Sequence, residues 1–365
     1  MSSALPEFIP GLELSRRYYQ KIIRPLIMAH FPSLPHTAAL VGFGSDVIGM
    51  DTPLSRDHMW GPRLILFLSE INFESNRSLL DEMLRSHLPY SFLGYPTSFG
   101  PPDQIGVRLL KSIQDGPVDH LIDITTLSTY FDNELGNGAW QNPSPADWLT
   151  FSEHRLLTLI SGAVFHDDLG LNAIRTRLKY YPRDIWLYLM ASDWSQIGQE
   201  EPFVGRTGEV GDDIGSRLLA ARLVQTCMRL CFRLEKQYTP YSKWFGSAFQ
   251  RLNIAAQLSD HLTTVLSAND WQTRETALCQ VYINLAAAHN KLEMTTALDT
   301  DCSSFYGRPY QVIHAERFAE ALQQSIENPI LRNLPLYGSP NQFSSTTDLL
   351  ENVSALRKLK DLFES

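Results

Sequence analysis

Long apolar runs are missing from this chain. No stretch approaches the roughly 18 residues that a membrane-crossing helix needs, so no membrane partner is expected. Cysteine is scarce, with four in 365 residues: Cys227, Cys231, Cys279 and Cys302. None forms a C-x-x-C pair, which argues against a disulfide scaffold. Cys227 and Cys231 sit four apart on a helical stretch and read as buried thiols on one face, a metal or redox role being the alternative. Basic runs are also absent. Lys and Arg number 31 against 40 Asp and Glu, a formal net charge of −9, so nucleic acid is not an expected partner. The opening "MSSALPEFIPGLELSRRYY" lacks the apolar core of a secretion signal, and a cytoplasmic protein in a reducing compartment is expected.

What the chain does contain is globular material, 44% hydrophobic and 19% charged, in a length suited to one large or two ordinary domains. "GLELSRRYYQKIIRPLIMAHFP" carries a helical stripe, with Ser15 as a plausible cap and Pro25 as a kink. "TAALVGFGS" reads as a buried strand entering a Gly-rich turn. "DHMWGPRLILFLSE" reads as a second strand, "NRSLLDEMLRSHLP" as an amphipathic helix, and "YSFLGYPTSFG" and "VDHLIDITTL" as further strands. Beyond about Ser128 helical periodicity dominates. "SPADWLTFSEHRLLTLISGAVF" opens with Ser144 and Pro145 as start signals. The long run "IGSRLLAARLVQTCMRLCFRLEKQY" has an apolar seam at Leu219, Leu223, Cys227, Leu230, Cys231 and Leu234. The expected fold class is α+β, a small mixed sheet with flanking helices followed by a mainly helical bundle. The expected organisation is residues 1–127, 128–330 and a tail, 331–365, that docks back or stays loose.

The richest stretch chemically is "GFGSDVIGMDTPLSRDHMWGPR", Gly42 to Arg63. A turn of small residues after a strand lets backbone N–H groups point at a phosphate, and Ser45 adds a hydroxyl. Across the loop Asp46–Arg56, Asp57 is expected to open a strand, where a carboxylate could hold Mg²⁺ against triphosphate oxygens. A residue two positions on would share its face. Asp123, in the apolar strand "LIDIT", could assist or act as base. Gly44 and Ser45, Asp57 and Asp123 resemble the pattern of the nucleotidyltransferase fold, as in polymerase-beta-like enzymes and the aminoglycoside- and lincosamide-modifying transferases. That pattern is a Gly-Ser turn, then Asp-x-Asp/Glu, then a third strand carboxylate. The second carboxylate position here is Met59, a poor ligand for a hard cation. Either one Mg²⁺ binds through Asp57 and Asp123, or Asp46 or Asp51 substitutes, or a nucleotide binds without turnover. Arg63 could contact phosphate or pair with an acid of the fold; Trp60 reads as core or as a base-stacking ring.

Longer stretches, among them "GSDVIGMDTPLSRDHMWGPRL", "GAVFHDDLGLNAIRTRL", "YYPRDIWLYLMASDWSQIGQEEPFVGRTGEVGDDIGSRLLAARL" and "YSKWFGSAF", resemble a domain-of-unknown-function family placed among nucleotidyltransferase-like proteins. The resemblance implies a nucleotidyltransferase-like domain followed by a helical substrate-binding domain, with no established reaction. In "HDDLGLN" one His and two Asp read as a capped helix start or as metal ligands. The loop "QEEPFVGRTGEVGDDIGSR" offers Glu200, Glu201, Asp212 and Asp213 as an acidic rim for a cationic small molecule, and Arg206 for phosphate; a solvated loop with a capped helix is the plainer reading. Lys243 in "YSKW" resembles a lysine near the triphosphate. The function expected is transfer of a nucleoside monophosphate from an NTP to a hydroxyl, with Mg²⁺. The alternative is a nucleotide- or partner-binding protein impaired at Met59. Oligomeric state is not legible.

Overall fold

The computed structural model describes residues 6–364, and of Asp57 only the backbone. Numbered in chain order, helices α1 (Gly11–Tyr18) and α2 (Arg24–His30) precede strands β1 (Thr37–Leu40) and β2 (Arg63–Leu68). Helix α3 (Glu70–His87), short strands β3 (Ser91–Phe92) and β4 (Tyr95–Pro96), strand β5 (Leu121–Thr126) and helix α4 (Leu127–Leu135) follow. Next come α5 (Pro145–Thr150), α6 (Glu153–Ile160), β6 (Ala163–Asp167), α7 (Leu171–Arg177) and α8 (Arg183–Glu200). Then α9 (Phe203–Glu209), α10 (Asp213–Leu234), α11 (Ser242–Phe249), α12 (Ala255–Ser267) and α13 (Trp271–Asn290). Strands β7 (Ser303–Ser304) and β8 (Gln311–Val312), helix α14 (Glu316–Gln324) and short helical turns complete the described chain. The class is α+β, as expected.

Two compact units result. The first runs to Trp140 and includes Arg155–Lys179; the second comprises Gln141–His154 and the chain from Tyr180 onward. The first unit is built on a four-stranded sheet of order β5-β2-β1-β6, with β2 and β5 parallel and the other pairs antiparallel. Strand side chains alternate between faces, so Leu64, Leu66 and Leu68 of β2 and Ile122 and Ile124 of β5 point one way. They join Leu14, Tyr18, Ile23 and Ile27 and, from α3, Leu80 and Leu84 in one buried cluster. Each such leucine contributes about 1.5–3 kcal/mol by leaving water. The other face carries Arg63, Ile65 and Asp123.

Local sequence explains several boundaries. Pro25 has no N–H to give to Lys21, and the stretch just before it, Tyr19–Ile23, widens into a π-helix between α1 and α2. Helix α1 begins at Gly11, earlier than the cap expected at Ser15, because the Asp51 carboxylate accepts the Gly11 N–H at 2.7 Å. Ser15 is buried inside the helix. Ser144 does start a helix, in a reciprocal capping box with Asp147, but α5 ends at Thr150. The helical reading of "ISGAVF" fails: Ala163–Asp167 is a strand, held by pairing with β1.

In the second unit α8 is buried on nearly every side, and Trp194 stacks on Phe318 with ring centroids 4.5 Å apart. The apolar seam of α10 is present at Leu223, Cys227, Leu230, Cys231 and Leu234, but the same helix also buries Arg229 and Arg233. Arg233 donates to Asp193 at 2.7 Å and Glu153 at 2.8 Å, and Thr239 donates to the other Glu153 oxygen. The C-terminal segment docks. Gln342 donates to Asp193 at 2.7 Å and to the Leu189 carbonyl at 3.0 Å, and Asn341 accepts the Glu153 N–H. All four cysteines are free thiols, three of them buried. Among the described residues no helix is long and apolar enough to cross a membrane.

Candidate functional site

Strand β1 ends at Leu40, and the chain turns at once through Gly42–Asp46. Gly42 and Gly44 hold φ at 80° and 130°, in the left-handed region that glycine tolerates. At Gly44 space is limiting as well: a Cβ there would come within 2.2 Å of an Asp46 carboxylate oxygen and 2.3 Å of an Arg63 guanidinium nitrogen. The turn is tied down at one N–H, Gly42 to the Thr158 carbonyl at 3.0 Å. Among the described residues, nothing accepts the N–H groups of Phe43, Gly44 or Ser45. Gly44 and Ser45 are partly open to solvent, and the Phe43 ring is 66% exposed.

Arg63 closes one side of the turn. It donates to the Phe43 carbonyl at 2.9 Å and to the Asp46 carboxylate at 2.6 Å, and Asp46 is 2% exposed. Of the two readings of Arg63, the pairing with an acid is present. Asp46 and Asp51, considered as substitute metal ligands, are both committed elsewhere. Asp46 accepts from Arg63 and the Val47 N–H, and Asp51 accepts from Gly11 and the Trp60 indole at 3.0 Å. Trp60 is buried against Phe8 and Tyr95, which makes it core.

Asp123 lies on β5 in register with Ile65 of β2, two residues from Arg63, on the face away from the leucine cluster. Its side chain is exposed, yet neighbouring atoms still desolvate the carboxyl and raise its pKa, against the opposing charge of Arg77. Tyr130 reaches the same region from α4. Its hydroxyl sits 2.3 Å from where a Gly42 Cβ would be and has no protein partner among the described residues. Burial raises the phenol pKa, and the charges of Glu134 and Asp123 raise it further. Tyr130 was invisible to motif reasoning because nothing in "STYFDN" marks it.

Asp57 does not open a strand. Its backbone ends a 3₁₀ turn, Pro53–Asp57, and β2 begins only at Arg63. The role read for its side chain lies outside the described residues. Met59 does not share a strand face with it either, because Met59 has φ 48°, in the left-handed region. Strand alternation therefore does not apply at these two positions.

The residues expected in the helical region all fall in the second unit. "PFVGRTGE" is helix α9 and no loop, because its glycines serve packing: a Cβ on Gly208 would lie 2.3 Å from Trp271. Glu200 pairs with Arg222 at 2.5 Å. Glu201 is 3% exposed and accepts the N–H groups of Ile313 and Ala315 at 2.7 and 2.9 Å; burial lifts its pKa to about 7. Asp212 caps α10 through the Gly215 N–H at 2.8 Å, and Asp213 pairs with Arg217 and with the buried Arg274. These four acids have partners inside the fold and form no open acidic rim. Arg206 is exposed over the Phe203 ring, and the Lys243 ammonium lies 5.0 Å from the Trp244 ring centre. In "HDDLGLN" the cap reading holds for Asp167, which accepts the N–H groups of Gly170, Leu171 and Asn172 at the start of α7.

Comparison with known proteins adds one match. The family described as Domain of unknown function (DUF4037) matches residues 148–245. The matched stretch includes His166–Asp168, Glu200, Glu201, Arg206, Asp212, Asp213 and Lys243, and leaves out Gly44, Ser45, Asp57, Arg63 and Asp123. No curated protein and no solved structure matches the chain. The likeness to a domain-of-unknown-function family thus rests on residues 148–245.

Proposed function

We propose that the first unit binds the phosphate chain of a nucleoside triphosphate at the Gly42–Asp46 turn. The observation that carries this reading is the set of three neighbouring N–H groups, on Phe43, Gly44 and Ser45, that nothing among the described residues accepts. Such N–H groups at a glycine turn form a cradle for anionic oxygens. Arg63, paired with Asp46, shapes the turn beside them, and the exposed Phe43 side chain supplies an apolar face for a base. Further support comes from the chain order, a Gly-Ser turn directly after β1 and Asp123 on the strand next to β2, which is the order that nucleotidyltransferase-like proteins share.

Mg²⁺ fits here only in a phosphate-dominated way. The cation often takes one or two carboxylates and draws its remaining oxygens from phosphate and water, and Asp123 is an exposed carboxylate able to serve. Its chemistry there would be to neutralise triphosphate charge. Transfer of a nucleoside monophosphate to a hydroxyl is the more demanding reading, with Asp57 and Asp123 as its carboxylates. Met59 favours the alternative, a protein that binds the nucleotide and turns it over slowly or not at all. Its side chain has no charge to share between two cations, and its backbone leaves the strand path.

Calorimetric titration with each of the four common triphosphates, with and without Mg²⁺, tests the proposal. At least one should bind in the micromolar range, more tightly with Mg²⁺, and Asp123→Asn should remove most of the Mg²⁺ enhancement. Absence of binding by all four at millimolar concentration would end this reading. A pyrophosphate-release assay on the same samples separates binding from transfer.

A further inference from the structure

The segment "HDDLGLN" contributes more than a helix cap. Antiparallel pairing of β1 with β6 sets Thr37 opposite Asp167 and Ala38 opposite His166, so His36, just before β1, comes beside Asp168. The Asp168 N–H bonds the His36 carbonyl at 3.3 Å, and the Asp168 carboxylate accepts the His36 N–H at 3.2 Å. One potential ligand atom from each of His36, His166 and Asp168 lies within 4.8 Å of the other two. The His36 and His166 ring centroids lie 4.7 Å apart with their planes tilted by 39°, and the His166 Nε2 lies 2.9 Å from the Asp168 carboxylate.

We infer that His36, His166 and Asp168 form a site for a divalent cation of the zinc type at the β1–β6 edge of the sheet. Two imidazoles and one carboxylate are the donor set of Zn²⁺ and its late first-row neighbours, and a poor one for Mg²⁺ or Ca²⁺, which demand oxygen. The surroundings are organised as a metal-binding histidine needs. His36 is 6% exposed, and its Nδ1 lies 3.1 Å from the Leu34 carbonyl. Donation of the Nδ1 proton to that carbonyl fixes the tautomer and leaves Nε2 with its lone pair, the arrangement that orients imidazole ligands. The Tyr19 hydroxyl donates to that Nε2 at 2.9 Å, a hydrogen bond that the cation would displace, leaving the hydroxyl beside the metal. The Asp168 side chain is 42% exposed, which leaves a path for the cation from solvent.

Binding exchanges the His166–Asp168 and Tyr19–His36 hydrogen bonds for coordinate bonds, and the His166 proton passes from Nε2 to Nδ1 through solvent, so the proton count of the site is unchanged. The site lies at the opening end of β1, whereas the Gly42–Asp46 turn follows its closing end, so the two are separated by the length of the strand, about 13 Å at some 3.3 Å per residue. The cation would therefore tie β6 and α7 to β1, and would not serve the triphosphate.

The test uses the full chain stripped with a chelator and titrated with Zn²⁺ against a chromophoric competitor. One Zn²⁺ per chain should bind with a Kd below about 1 μM, unaffected by millimolar Mg²⁺. Asp168→Asn, which keeps an acceptor for the His36 N–H, and His166→Gln should each weaken binding at least tenfold. Melting curves without metal check that the variants fold as wild type does, and Co²⁺ should give tetrahedral visible absorption in wild type alone. Two results would overturn the inference: no Zn²⁺ binding tighter than about 10 μM, or equal binding by wild type and both variants. Because Zn²⁺ is titrated without nucleotide, the outcome is independent of triphosphate binding.

Discussion

Gly44 is a residue whose side chain would collide with the two groups that shape its turn. Gly44→Ala forces a Cβ toward both the Asp46 carboxylate and the Arg63 guanidinium at a backbone φ of 130°. Titration should show at least a tenfold loss of triphosphate affinity, about 1.4 kcal/mol, with the far-ultraviolet spectrum unchanged. Affinity equal to wild type would remove the turn from the binding site. Met59 is the opposite case, a long side chain at φ 48° where Asp and Asn are better tolerated. Met59→Asp should leave the melting temperature equal or slightly higher. It should also strengthen Mg²⁺-dependent triphosphate binding and raise pyrophosphate release above the wild-type level. A fall in both would mean that this position does not face the nucleotide. The motif itself was legible in the sequence at this scale. The conformation was not, because strand alternation holds only where a neighbouring strand keeps the backbone extended, and among the described residues no strand pairs with Asp57 or Met59.

Elements in the second unit are joined by carboxylates that a charge count places at the surface. Glu201, at the end of α8, binds the two N–H groups that lead into α14. Glu275, on α13, is 7% exposed with one oxygen lacking a partner among the described residues. Burial raises both carboxyls from 4.5 to about 7. A raised acid binds its proton more tightly in the folded state, so the stability linked to it is intact below about pH 4.5 and is lost as pH rises through about 7. For Glu201 the shift corresponds to at most about 3 kcal/mol. Urea midpoints should fall between pH 5 and 7.5, and Glu201→Gln, which removes one titration, should flatten that fall. Parallel curves for the two proteins would show that Glu201 does not titrate in this window. In the sequence Glu201 reads as a substrate-facing acid because it sits among glycines and charges. The glycines in fact let α9 approach Trp271 and Tyr310, and that contact comes from residues far along the chain.

At the scale of the whole molecule, the last segment is fastened to the second unit by a few buried side chains. Asn341 and Gln342 satisfy groups around Glu153 and Asp193, and Arg357 and Lys360 pair with Asp147. Burial disfavours the charged form of Asp193, and Arg233, Arg229 and the Gln342 amide oppose that effect. A chain ending at Gly338 should therefore lose a cooperative unfolding transition or become insoluble. Gln342→Ala in the full chain should cost about 1–3 kcal/mol in urea unfolding, the usual penalty for a buried polar group left without its partner. Wild-type stability in both variants would mean that the segment is a passive tail.

Much of this protein was written locally. The α+β class, strands β1, β2 and β5, helices α3, α8 and α10, the Ser144 cap and the glycine turn after β1 follow from side-chain periodicity and backbone preference, which act between near neighbours. Tertiary structure decided the rest. It made a strand of Ala163–Asp167, whose partner β1 lies more than a hundred residues earlier, and by the same pairing gathered His36, His166 and Asp168. It moved Asp57 and Met59 off the strand path and committed Asp46 to Arg63. It turned Glu201, Arg233 and Gln342 inward. In each case the deciding contact joins residues remote in sequence, and burial changes the energy of a polar group only once those partners have met.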